Sequence, residues 1–175
     1  SHVVLPGVGA FGDCRRGLDT LPGMVDALQR SVIEEGRPFL GICVGMQSLM
    51  TASEENGGVA CLNQLPGEVK FFGNPHQNTD GTRLKVPHMG WNQVVQQRAH
   101  PLWSGIESGS HFYFVHSYHV VPDDPELVVG TFDYGLSGCA ALARDNVFAT
   151  QFHPEKSHKA GLTLLKNFLS WDGTC

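Results

Sequence analysis

Apolar positions along the chain fall into two kinds of spacing, and the kind changes about a third of the way along. "SHVVLPG" (1–7) is a β-branched run that breaks at a turn, and "PFLGIC" (38–43) is apolar almost throughout, as suits a strand buried within a parallel sheet. Between them, Pro22 to Ile33 carries apolar residues at helical spacing and stops at Gly36, so strand, glycine loop and helix predict half of a parallel βαβ unit. Helical spacing also predicts a helix over Val44 to Ala52, with Met46, Leu49 and Met50 on one face, and a closing helix over Ser157 to Trp171 through Leu162, Leu165 and Phe168. Beyond Gly57 and Gly58 come short strand-like runs at Glu68 to Phe72, Asn92 to Gln96, Ser110 to Val121, Leu127 to Phe132, Cys139 to Arg144 and Val147 to Phe152. Gly, Pro and Asp turns between them predict hairpins, and Gly73 to Arg83 reads as polar loop. The expected fold is α/β, with an antiparallel-rich C-terminal half.

Composition narrows the class of molecule. The 175 residues suit one domain spanning 1–175, and 41% hydrophobic with 17% charged residues describes a soluble globular protein. No apolar run approaches the ~18 residues that would span a bilayer. The net charge of -5, with Lys and Arg scattered, offers no electrostatic footprint for nucleic acid or an anionic membrane, which leaves small molecules or proteins as partners. Cys14, Cys43, Cys61, Cys139 and Cys175 form an odd set without C-x-x-C spacing, which argues against a disulfide framework or a zinc site and for a reducing cytoplasm. The N-terminus shows no signal-peptide pattern and opens in mid-strand.

Candidate chemistry begins at "GICVGMQ" (41–47), where Gly41-x-Cys43-x-Gly45 at a strand-to-helix junction has the form of a nucleophile elbow carrying sulfur. Such a turn would hold Cys43 above the sheet at a helix N-terminus, where the macrodipole lowers a thiol pKa, and would aim the Val44 N–H at an oxyanion. By itself the heptapeptide fits a buried, inert cysteine equally well. "FATQFHPEKS" supplies a base and an orienting group: His153 and Glu155, two apart at a strand end, share a face. The same pair also fits a surface ion pair, and ligating a metal would need a third ligand that the neighbourhood lacks.

"LPGVGAFG" sets Gly7, Gly9 and Gly12 at dinucleotide-fingerprint spacing, but Pro6 suggests a different turn, one that can equally donate N–H groups to an oxyanion. In "HFYFVHSYHV", strand parity sends His111 and His119 to one face and His116 to the other, which suggests packing or a substrate wall instead of a metal site. "VPHMGWN" (86–92) is a tight glycine-containing connection carrying His88 and Trp91.

Taken in order, "PGVGAFGD", "GICVGMQ", "VPHMGWN", "FVHSYH" and "QFHPEKS" resemble the motifs of class I glutamine amidotransferases, from about Val3 to the end of the chain. The resemblance implies a doubly wound, mostly parallel sheet flanked by helices, with the active site at the carboxyl ends of its strands. It implies Cys43 as nucleophile, His153 as base and then acid, and Glu155 as its orienting group. Oxyanion donors would come from Val44 and the turn at Val8 and Gly9, and Gly9, Gln47 and backbone at Ser117 and Tyr118 would hold L-glutamine. It calls for no cofactor or metal, and it implies a (βα)₈-barrel cyclase subunit of histidine biosynthesis as heterodimeric partner and recipient of the ammonia. Members of the family begin with a further strand-helix segment, which is expected to be missing here. Glutaminases feeding anthranilate, carbamoyl phosphate or GMP synthesis share the triad, and a nucleotide-binding module on Gly7, Gly9 and Gly12 stands as the reading without catalysis.

Overall fold

The computed structural model describes residues 1–73 and 80–175, so most of the polar loop expected from Gly73 to Arg83 lies outside the described residues. The first half runs β1 (Val3–Gly7), α1 (Phe11–Asp19), α2 (Met24–Gln29), β2 (Phe39–Cys43), α3 (Val44–Gln47), β3 (Ala52–Ser53), β4 (Val59–Ala60) and β5 (Gly67–Phe71). The second runs β6 (His88–Gln96), β7 (Ser110–His116), β8 (Tyr118–Pro122), β9 (Val128–Asp133), β10 (Ser137–Arg144), β11 (Val147–Thr150) and α4 (His158–Ser170).

Seven strands form a mixed sheet in the order β1-β2-β11-β10-β9-β6-β7. Pairing is parallel between β1, β2 and β11 and antiparallel beyond, so the parallel share is smaller than a mostly parallel sheet would have. Every residue of β2 is buried, which accounts for its unbroken apolar run. A second sheet, β4-β3-β5-β8, lies alongside. The core joins Phe39, Leu40 and Ile42 of β2 to Leu142, Phe148 and a ring cluster in which Phe112 and Phe152 lie 4.1 Å apart.

Three local expectations are corrected, and one helix appears that the sequence did not predict. The helix expected over Val44 to Ala52 is a single turn, because Leu49 and Met50 tighten onto Met46 and Gln47 and the chain then joins the second sheet through Thr51 N–H to Gly67 O. The strand expected from Ser110 to Val121 divides at Ser117: β7 pairs with β6, whereas β8 pairs with β5. Parity therefore cannot be carried across Ser117, and only the separation of exposed His111 from buried His116 within β7 survives. Helix α1 was not predicted from the sequence; its first N–H, on Phe11, is capped by the Glu55 carboxylate (2.9 Å), 44 residues away in sequence. On α4 the buried stripe is Gly161, Leu164 and Phe168, while Leu162 faces solvent.

Candidate active site

Close backbone approach builds the elbow between β2 and α3. A Cβ on Gly45 would lie 1.8 Å from Leu5 O, one on Gly41 3.0 Å from Gly45 C, and one on Gly7 2.8 Å from Val44 Cβ. Those glycines let β1, β2 and α3 meet, and Cys43 between them is held at φ 55° and ψ -107°, a region side chains rarely occupy. Gly7 thus makes room for Val44, and Gly12, inside α1, makes room for Asn56. Gly9 has a positive φ of 90° with open space where a Cβ would stand.

Cys43 opens onto a cavity of about 520 Å³ lined by Val8, Gly9, Val44, Gln47, Glu55, Ser117 and Tyr118, among others. Every oxyanion and glutamine-binding residue expected from the sequence therefore faces one space with the cysteine. Ser117 and Tyr118 arrive there because the chain switches sheets at Ser117, between the end of β7 at His116 and the start of β8 at Tyr118, a break that strand periodicity did not disclose. Glu55 is a pocket residue that the sequence reading missed, and its signal is tertiary: the carboxylate sits where it caps α1.

His153 follows β11, which runs parallel to β2 with Thr150 opposite Ile42, so the two chain ends emerge side by side. His153 and Glu155 meet through a 3-10 turn at Pro154–Lys156 and not along a strand: His153 Nδ1 donates to Glu155 Oε1 at 2.8 Å. Since a carboxylate only accepts, neutral His153 carries its proton on Nδ1 and a lone pair on Nε2. That Nε2 is buried and has no hydrogen-bond partner among the described residues, Cys43 included. The turn is clamped from two sides. Tyr113 N–H donates to Ser157 Oγ (2.9 Å), Ser157 Oγ to His153 O (2.6 Å), and His153 N–H to Tyr113 O (2.9 Å). Helix α4 packs so close that a Cβ on Gly161 would stand 1.9 Å from Pro154 O.

Burial pushes the Cys43 thiol up to about 11, against the Val44 N–H and the Gln151 amide, which favour the thiolate. The expected lowering by a helix dipole is overruled here, since α3 is one turn long and the sulfur is desolvated. Gln151, wholly buried, was not singled out from the sequence; its amide nitrogen lies 3.6 Å from Cys43 Sγ. Among the described residues no cluster of three or more His, Cys, Asp or Glu could hold a metal ion. No helix there is long and apolar enough to cross a membrane.

Residues 1–171 match the family model described as Glutamine amidotransferase class-I. The chain is 55% identical over 172 residues to the imidazole glycerol phosphate synthase subunit HisH 1 of Pseudomonas aeruginosa, covering 98% of this chain and 79% of that protein. It is 57% identical over 166 residues to the corresponding HisH subunit of Syntrophotalea carbinolica, covering 95% and 79%. Among solved structures, a glutamine amidotransferase from Thermotoga maritima superposes with a TM-score of 0.61 at 15% identity, over 96% of this chain and 61% of that one, a likeness of fold.

Proposed function

The chain belongs to the class I glutamine amidotransferase family, and we propose that it is the glutaminase subunit of an imidazole glycerol phosphate synthase. In this reading it hydrolyses L-glutamine to glutamate and ammonia through Cys43, His153 and Glu155. The ammonia passes to a (βα)₈-barrel cyclase subunit, HisF, that forms imidazole glycerol phosphate and an aminoimidazole carboxamide ribotide in histidine biosynthesis. The observation that carries the reading is a strained, buried Cys43 on the wall of the one cavity that also gathers Val8, Gly9, Val44, Gln47, Ser117 and Tyr118, in a chain so similar to HisH subunits.

The chemistry follows from those groups. The Cys43 thiol gives its proton to the free Nε2 of His153, and sulfur attacks the side-chain amide carbon of glutamine. The oxyanion is held by N–H groups of Val44 and of the turn at Val8 and Gly9. His153 returns the proton to the departing nitrogen, ammonia leaves, and a thioester remains on Cys43. Water deprotonated by His153 then releases glutamate and restores the thiol. Gln47 and backbone at Gly9, Ser117 and Tyr118 hold the amino-acid head, and Glu55 offers its ammonium a carboxylate.

A buried thiol pushed up to about 11 and an unpartnered Nε2 on His153 fit a conformational step, on binding the cyclase, that brings the two groups together. In this reading the chain works in a reducing cytoplasm.

The test is glutamine hydrolysis by the chain alone, with the cyclase, and with the cyclase plus its nucleotide substrate. Activity is expected to be low alone, to rise with the full set, and to vanish in Cys43→Ala while the cyclase still binds. Glutamine hydrolysis by the alanine variant would overturn the catalytic assignment, and indifference to the cyclase would overturn the choice of partner.

A further inference from the structure

We propose that Gln151 is a positioning residue of this site: its side-chain amide ties Gln47, the proposed head-group ligand, to Cys43 and presents an N–H donor to the sulfur. The proposal rests on the reading of Cys43 as nucleophile.

The direction of the hydrogen bonds is fixed by elimination. Tyr118 O is a carbonyl and only accepts, so the Gln47 atom 3.2 Å from it is the amide nitrogen. That same nitrogen lies 3.3 Å from Gln151, which must therefore turn its oxygen toward Gln47. Its nitrogen is left facing Cys43 Sγ at 3.6 Å. The backbone is anchored as well, Gln151 N–H donating to Ala140 O at 2.8 Å.

Burying a primary amide costs free energy that an apolar side chain of the same length would avoid. Gln151 is 0% exposed and is flanked in sequence by Thr150 and Phe152, also wholly buried. What the amide provides, and methionine would not, is a donor toward the sulfur and an acceptor toward Gln47. An N–H aimed at the sulfur stabilises the thiolate when the proton leaves and holds χ1 of Cys43 in one orientation. Because the donor is bonded through to Gln47, a substrate that draws on the Gln47 amide also acts on the group orienting the nucleophile.

The experiment compares wild type with Gln151→Met, close in volume but without the amide, in complex with the cyclase. Two quantities are read: kcat and KM for glutamine, and the pH midpoint for carbamidomethylation of Cys43 by iodoacetamide, followed by mass spectrometry of the Cys43 peptide. The expected result is a kcat lowered about tenfold or more and an alkylation midpoint raised by about one pH unit. A variant that raises KM alone, with kcat and the alkylation midpoint unchanged, would show Gln151 to be only a support for Gln47 and would overturn the proposal. If Gln151→Met does not fold, as judged by its thermal melt, Gln151→Asn withdraws the amide by one methylene and is expected to move both quantities the same way; no movement would overturn the proposal. The alkylation readout does not depend on glutaminase turnover. Failure of the functional reading would show instead as activity persisting in Cys43→Ala.

Discussion

His88 Nδ1 donates to His116 Nε2 across 3.0 Å, and the direction of that bond is set from its far end. His116 Nδ1 lies 2.7 Å from the Tyr118 carbonyl, which only accepts, so the His116 proton is on Nδ1 and its Nε2 is the acceptor. His88 must then donate from Nδ1 and accept at Nε2, where the Asn92 amide nitrogen stands 3.2 Å away. The chain of bonds from Asn92 to Tyr118 is satisfied only while both imidazoles are neutral. It ends on the carbonyl that also holds Gln47, and so braces the pocket wall at the sheet switch.

Stability is expected to fall on mild acidification. Burial lowers His88 to about 4 and His116 to about 3 from the usual 6.5, and burial with the charge of Arg98 lowers His100 to about 4. Between those values and 6.5 the unfolded chain binds protons that the folded chain refuses. The stabilisation is complete above about pH 7 and is lost as pH falls toward 4, by roughly 1.4 kcal/mol per pH unit for each histidine. Urea midpoints at about pH 7.5, 6 and 5 check this: they should decline steadily, and more shallowly in His116→Gln. A midpoint constant over that range would contradict the buried neutral cluster.

Glu155→Gln should leave the fold intact and cripple turnover. The carboxylate that fixes the proton on His153 Nδ1 is replaced by an amide, which can favour the other tautomer and gives no charge to stabilise the imidazolium. In the complex with the cyclase, kcat should fall roughly a hundredfold or more with a small change in KM. Wild-type kcat in this variant would remove Glu155 from the proposed mechanism.

Gly161→Ala tests whether helix α4 positions the base. Alanine is worth about 1 kcal/mol to a helix interior, but its Cβ would stand 1.9 Å from Pro154 O. Relieving that overlap costs several kcal/mol by overpacking and moves the turn carrying His153 and Glu155. The net expectation is about 2 kcal/mol of destabilisation, a drop of roughly 4–8 °C in Tm, together with reduced glutaminase activity. A more stable, fully active variant would mean that the helix can slide without consequence.

Glu55→Ala should separate two roles of one carboxylate. Loss of the 2.9 Å bond to Phe11 N–H costs about 1 kcal/mol of stability by uncapping α1. Loss of charge on the pocket wall should raise KM for glutamine at least tenfold if the group meets the substrate ammonium. Glu55→Gln, which keeps an acceptor for Phe11 without the charge, should recover the stability and not the KM. Equal KM values in wild type and Glu55→Gln would leave Glu55 as a cap alone.

By itself, the sequence determined what local spacing and composition encode. The buried run of β2, the Gly41-x-Cys43-x-Gly45 elbow, the adjacency of His153 to Glu155, and each family motif are short stretches of chain, where backbone sterics and short-range hydrogen bonding act. Tertiary structure decided the rest. Capping of α1 by Glu55, truncation of α3 when Thr51 joins the second sheet, and the division of one aromatic strand at Ser117 each depend on a partner far away in sequence. So does the state of the cysteine. An elbow at a helix N-terminus predicts an acidic thiol, yet burial, a property of the whole core, pushes Cys43 up to about 11, and the amide facing its sulfur comes from Gln151, 108 residues away in sequence.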